Sequence, residues 1–320
     1  MPSPKPILRA LPLVELGVLL LVALACLVFQ LRLPGRLPSE ADYQTVAGWL
    51  RAEARPGDAV LLFPWWTERA RLYLPEQLPV YGYLGSDRDD LRAHPRVWVL
   101  GQPDLPRSDE DGFRAAFLPG RTPQGETRRA GPLALTLYTN GRYRPHRFVA
   151  SEAYARARVY LESPDGTRRD CPFDGSAHRC PGPPYLYVAP EWHEIRYEPR
   201  HCLWMHPPGG PELLVAEFDG VPGGTELRLE GGIIFEHAFP KAPQLRTVHM
   251  GVEDAVNHER LLEVSQPPGL EGVRKAWRAL PPGEPRTVRV WVQADNADTR
   301  QVCLDLFALG EATTASREAP

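Results

Sequence analysis

The stretch from Leu11 to Leu33, LPLVELGVLLLVALACLVFQLRL, constrains this chain more than any other. A helix needs roughly 20 mostly apolar residues to cross the hydrocarbon core of a bilayer. No later stretch is long and apolar enough to cross again. The expectation is an N-terminal tail over 1–10, a transmembrane anchor over 11–33, a Pro-containing linker over 34–38 and one large soluble portion behind it.

A cleaved secretory signal would have a shorter apolar core followed by a small-residue site and polar sequence. Here apolar residues continue past Cys26 through Leu27, Val28 and Phe29. Ala23-Leu24-Ala25-Cys26 resembles a bacterial lipoprotein box, but Leu24 stands where a small residue is wanted. An uncleaved anchor fits best. Glu15 fits either a charge snorkelling to the membrane interface or a contact with a membrane partner. Lys5 and Arg9 precede the run and Arg32 and Arg36 follow it, so the inside-positive bias does not decide the orientation.

The cysteines decide it. Cys26 lies in the anchor, and Cys171, Cys180, Cys202 and Cys303 lie beyond it. An even set outside the membrane implies two disulfides, which we pair as Cys171 with Cys180 and Cys202 with Cys303. The second would close a loop of about 100 residues and stabilise by roughly 4–5 kcal/mol in the chain-entropy picture. The rival is a zinc site drawn from Cys171, His178, Cys180, His201 and Cys202. It has no CxxC pair and no zinc-finger spacing. Disulfides need an oxidising compartment, so the soluble portion is expected on the extracytoplasmic side of the inner (cytoplasmic) membrane. A formal net charge of -3 and a pI near 6.3 argue against nucleic acid as a partner, since nucleic-acid binders carry a basic face.

Along the soluble portion, helix-spaced Tyr43, Val46, Ala47, Trp49 and Leu50 predict a helix over 39–54 capped by Ser39. The apolar runs 59–63 and 96–100 have the length of strands buried on both faces. Short helices are expected over 67–74, 86–93 and 108–117, the last capped by Ser108, and a strand over 78–83. Helix alternating with apolar strand implies a small parallel sheet, so 39–145 is expected to be a Rossmann-like α/β subdomain. It has no GxGxxG and no P-loop, and no cofactor is implied. Residues 119–129 are expected as a loop and 132–138 as a strand on the edge of the first sheet.

From about residue 146 the pattern becomes short alternating strands between Pro and Gly turns. Pro is abundant, at 36 residues. Strands are expected over 157–162, 167–171, 193–197, 202–205, 212–218, 226–229, 232–237, 246–252, 258–263, 287–293 and 301–308. The first two flank Ser163-Pro164-Asp165-Gly166, a hairpin signal. This spacing indicates a β-sandwich of the jelly-roll type over 146–309, with 310–320 as a disordered tail. The fold class is thus α/β plus all-β behind one transmembrane helix. The Cys202–Cys303 bridge would join the first and last strands, which a jelly roll places side by side.

Two resemblances follow. Trp49-Leu50-Arg51, Arg55-Pro56-Gly57-Asp58 and the run 59–64 make residues 40–105 similar to the extracytoplasmic tail of multi-helix polyprenyl-phosphate-sugar glycosyltransferases. The multi-helix core where that family keeps its acidic catalytic residues is missing, so no catalytic position carries over. Cys202-Leu203-Trp204, the run 226–231 and Val302-Cys303-Leu304-Asp305 make the second part resemble a galactose-binding-like jelly roll of the carbohydrate-binding-module kind, which implies glycan binding.

Pro64-Trp65-Trp66-Thr67-Glu68-Arg69 follows the first buried strand, and ligands gather at strand C-terminal ends of open α/β sheets. Trp65, Trp66 and Arg69 are candidate ligand contacts, with packing under a neighbouring element as the alternative. His201 and His206 could serve as metal ligands or an acid/base pair, but strand alternation puts them on opposite faces. Trp204 beside a disulfide fits a sandwich core. Asp87, Asp89, Asp90, Asp295 and Asp298 lack the EF-hand spacing, and no GxSxG elbow occurs. No catalytic or metal residue is therefore assigned. The sequence points to a non-catalytic envelope component binding a glycan or a protein. It leaves open an accessory subunit of a lipid-linked-sugar glycosyltransferase. It also leaves open a polysaccharide hydrolase, with Glu194, Glu236 and Asp305 as available carboxylates.

Overall fold

A computed structural model describes residues 7–32, 37–64, 67–82, 91, 93–104, 110–196, 198–234 and 245–311. The chain divides into two compact units, Met1–Arg142 and Tyr143–Pro320.

The first unit opens with helix α1 (Ile7–Arg32), whose window Glu15–Arg32 is long and apolar enough to cross a membrane and is not buried against protein. Helix α2 (Glu40–Glu53) starts at a capping box. Ser39 Oγ accepts from the Asp42 N–H at 3.2 Å, and Asp42 Oδ2 accepts from the Ser39 N–H at 2.7 Å. Strands β1 (Ala59–Phe63), β2 (Val80–Gly82) and β3 (Arg96–Gly101) follow, with a 3₁₀ helix over Thr67–Leu72 and helix α3 over Glu110–Phe117. Then come β4 (Arg121–Ala130) and β5 (Leu133–Asn140).

The sheet order is β2-β1-β3-β5-β4. Strands β2, β1 and β3 are parallel, and β5 runs antiparallel to both of its neighbours, β3 and β4. Tyr43, Val46 and Leu50 of α2 cover Val60, Leu62, Trp98 and Leu100 on one face. Phe113 and Phe117 of α3 cover Leu61, Val97 and Val99 on the other. Both expected strands are thus buried on two sides. Three short parallel strands in a mixed sheet do not establish a Rossmann-like assignment. Two expectations are corrected. The segment expected as a loop over 119–129 is mostly strand β4, and β5 is interior to the sheet, with β4 on its edge. Ser108 lies outside the described residues.

Asp58, 1% exposed, ties this unit together. Arg96 donates to it at 2.6 and 2.8 Å, Trp98 Nε1 at 2.9 Å and the Arg55 N–H at 3.0 Å. Burial works against its charge, but these donors outweigh it and hold the carboxyl below the usual range.

The second unit begins with β6 (His146–Val149), a one-turn helix α4 (Ala150–Ala153), β7 (Arg158–Glu162), β8 (Arg168–Asp170), β9 (His178–Arg179) and β10 (Tyr187–Ile195). Eight strands follow: β11 (Glu198–Met205), β12 (Leu213–Val221), β13 (Glu226–Ile233), β14 (Val248–Asp254), β15 (Arg260–Gln266), β16 (Arg274–Ala279), β17 (Arg286–Gln293) and β18 (Val302–Leu309). One sheet runs β16-β13-β18-β11-β10-β9, with β6 also on β18. The other runs β15-β14-β17-β12-β7-β8.

Numbered one to eight from β11, the strand orders are six-three-eight-one and five-four-seven-two, which is the jelly-roll winding. Leu203, Met205, Leu227, Leu229, Leu304 and Leu306 of one sheet meet Leu214, Ala216, Met250, Val252, Val288 and Val290 of the other in an apolar core.

Both disulfides are present. Cys202 and Cys303 join β11 to β18, the first and last jelly-roll strands, although β6 to β10 precede them. The expected break between 226–229 and 232–237 is corrected: β13 runs unbroken to Ile233. Strands β6, β9 and β16 have no counterpart among the expected strands.

Candidate functional site

Alternation along the seven-stranded sheet sends every second side chain away from the sandwich core. That outer face is organised in rows set by strand register. Trp277 of β16 lies opposite Arg228 of β13, which lies opposite Phe307 of β18. In the next row Lys275 lies opposite Glu230, and Glu230 opposite Asp305.

Two of the carboxylates here, Glu230 and Glu226, are held by cations. Glu230, 6% exposed, meets Arg200 at 3.0 Å, Arg228 at 3.4 Å and Lys275 at 3.7 Å. Glu226 meets Arg144 at 2.6 Å and Arg228 at 3.5 Å. Asp305, 4% exposed, accepts from the Ser151 N–H at 3.0 Å, the Leu306 N–H at 2.8 Å and Ser151 Oγ. Burial pushes its carboxyl up to about 7 against those hydrogen bonds, and nearby Glu230 adds to the rise. With both oxygens engaged, Asp305 acts as a tie between α4 and β18.

The other end of this face is closed. Trp204 stacks on Tyr187 at 5.6 Å, lies 5.2 Å from the His193 ring, and donates from Nε1 to the Tyr185 carbonyl. Glu191 accepts from Tyr187 OH at 2.9 Å and pairs with His193 Nε2 at 2.8 Å. Ile195, Cys202, Trp204, Ile234 and Cys303 form a buried cluster there. Trp204 and the disulfide therefore sit on the outer face, and the expectation that they belong to the sandwich core is corrected. Among the described residues, the open aromatic of the face is Trp277, 67% exposed beside fixed charges.

The residues singled out from sequence fare differently. Trp65, Trp66 and Glu236 lie outside the described residues, as do Asp87, Asp89 and Asp90. Arg69 is exposed, with its guanidinium 5.9 Å from the Tyr43 ring centroid. His206 is buried against Tyr185, 4.5 Å between rings, and burial pushes its imidazole down. His201 packs beside Trp192 instead. His178 contacts the Tyr154 carbonyl through Nε2 at 2.9 Å. The three cysteines of the zinc alternative are in disulfides, and among the described residues no group of three His, Cys, Asp or Glu is placed to hold a metal. Glu194 lies on the opposite face of the sheet from Asp305.

Sequence reasoning did not single out Trp277, Lys275, Arg228 and Glu230 as a site. The available signal was the alternation Glu226-Leu227-Arg228-Leu229-Glu230, three charges on one face of a strand whose other face is apolar.

No protein family and no curated protein matches this sequence. Solved structures with partial similarity include a xylan-binding domain from CBM 22 (12% identity, 53% of this chain, 97% of that chain, TM-score 0.25). A family 16 carbohydrate binding module-2 matches at 11% identity over 39% of this chain and 81% of that chain, with a TM-score of 0.21. The CBM22-1–GH10 modules of Clostridium thermocellum xylanase 10B, complexed with xylohexaose, match at 11% identity over 42% of this chain, with a TM-score of 0.27. The chain spans about a quarter of that structure, 26%. These overlaps are too slight to bring any of those proteins' activities to this chain.

Proposed function

We propose that the protein is a membrane-tethered, extracytoplasmic glycan-binding protein and that Trp277 is its stacking platform. The observation that carries this reading is an exposed indole fixed on a sheet beside charged groups already held in place. A pyranose has an apolar C–H face and a rim of hydroxyls. The first suits the indole, and the second suits donors and acceptors such as Lys275 and Glu226. Their ion pairs fix the side chains before a ligand arrives, which lowers the ordering cost of binding. The apolar α1 and the two disulfides support the tether and the oxidising side. Trp65 and Trp66 belong to the proposal as a second contact, because they follow the C-terminal end of β1 in a parallel set.

The test uses the full chain in lipid nanodiscs against a panel of envelope and plant-type polysaccharides. Trp277→Ala is expected to weaken binding by on the order of tenfold, the equivalent of about 1.4 kcal/mol. Binding to no polysaccharide of the panel, or undiminished binding by Trp277→Ala, would remove the reading.

A further inference from the structure

Outside α1, the first unit exposes two large apolar side chains among its described residues, Leu37 at 47% and Leu72 at 79%. Leu37 stands just before the start of α2, and Leu72 adjoins the same helix through the next residue, Tyr73. Leu37 follows the last residue of α1, Arg32, by five positions. Only residues 33–39 separate α1 from α2, a span of at most about 25 Å when fully extended.

Leu72 is brought beside α2 by tertiary contacts, the carbonyl of Tyr73 accepting from Arg51 of that helix at 3.3 Å. Its neighbour Tyr73 donates from its hydroxyl to Glu40, the first residue of α2, at 3.2 Å. The Tyr73 ring stacks on Tyr43, one turn further on, at 5.2 Å and 5°. Leu72 ends the 3₁₀ helix Thr67–Leu72, in which residues three apart eclipse. Thr67 and Ala70 therefore share the buried side, and Arg69 and Leu72 share the exposed one. The Arg69 guanidinium also lies against the first turn of α2, over Tyr43.

We propose that this end of the unit docks on the bilayer surface, with Leu37 and Leu72 entering the interface and Arg69 facing lipid phosphate. The inference rests on the tether reading, since α1 must lie in the membrane for the short linker to hold this end near it. An apolar side chain beside a cation suits that boundary, where the tail meets acyl chains and the charge meets headgroups. Arg69 is thereby given a lipid partner in place of a sugar.

The test uses the full chain with Cys26→Ser and Leu72→Cys, labelled with an environment-sensitive dye and reconstituted into vesicles of phosphatidylethanolamine and phosphatidylglycerol. Headgroup spin-labelled lipid is expected to quench the dye, and vesicle binding is expected to lower quenching by aqueous iodide several-fold. Leu37→Cys should report the same, and Arg69→Glu should restore part of the iodide quenching. A protein that floats with the vesicles, yet shows full iodide quenching and no lipid quenching, would overturn the docking and leave the tether intact. A protein that does not float with the vesicles would overturn both.

Discussion

Gly251 of β14 shows how one residue sets its surroundings. It lies opposite Trp291 of β17 on the outer face of the six-stranded sheet, and the indole lies across the space a side chain would take. A Cβ there would fall well inside contact with Trp291 Cζ2 and Cε2. The ring is 4% exposed and has the Arg260 guanidinium 5.5 Å from a ring centroid. Only glycine lets a tryptophan fill in for a missing side chain in this way. Gly251→Ala is expected to cost about 2 kcal/mol, within the range for overpacking a filled site, read as a lower urea midpoint. An unchanged midpoint would show that the indole moves aside freely. Nothing in the local sequence signals this pairing, because a glycine in a strand is equally a bulge or a close approach.

At the scale of elements, Asp305 and Ser151 tie α4 to β18, and the tie depends on pH. Burial pushes the folded carboxyl up to about 7 from its ordinary value of 3.8. The folded state therefore holds the proton more tightly than the unfolded chain. Stability from this group is present at acid pH and declines as pH rises from about 4 through about 7. Asp305→Asn keeps an acceptor for the Ser151 N–H and does not titrate. Urea unfolding at pH 5 and pH 8 should show the native chain losing stability relative to that variant at the higher pH. Parallel behaviour of the two proteins would contradict the raised carboxyl.

Elements also show where pattern reading stops. Helix α2 and strands β1 and β3 were legible because each buries a periodic or continuous apolar set. Strand β4 was not, because an edge strand with most of its side chains in water needs no apolar alternation. Its Pro123 and Gly125 looked like loop residues, and a register shift between Gln124 and Arg128 accommodates that stretch. Strand β16 escaped for a similar reason: no residue of Arg274–Ala279 is fully buried. Strand β13 looked divided at its two glycines, yet Gly231 and Gly232 continue the ladder to Leu304 and Cys303.

For the whole molecule, the cross-link between the ends of the jelly roll carries the largest chain-entropy effect. Cys202 and Cys303 are 101 positions apart, and Cys171 and Cys180 only 9. Loop-closure entropy makes the first bridge worth about 4–5 kcal/mol and the second about 2–3 kcal/mol. Replacing each pair with alanine should reproduce that order in denaturant unfolding. Equal losses would refute the chain-entropy account. The native chain should also titrate one thiol, Cys26, the free cysteine of the structure, and five after reduction and unfolding.

Taken alone, the sequence determined the features that depend on local composition and period. These are one apolar helix of membrane-crossing length, the helix capped at Ser39, the doubly buried strands and a β-rich second half with two cysteine pairs. It could not decide which residues share a surface, because strand register and sheet order depend on contacts between segments far apart in the chain. Trp277 reaches Arg228 and Lys275 reaches Glu230 only through the pairing of β16 with β13, and Trp204 leaves the core only because alternation from Leu203 fixes its side. Tyr73, the neighbour of Leu72, likewise meets the start of α2 at Glu40, a contact spanning 33 positions that no local pattern encodes.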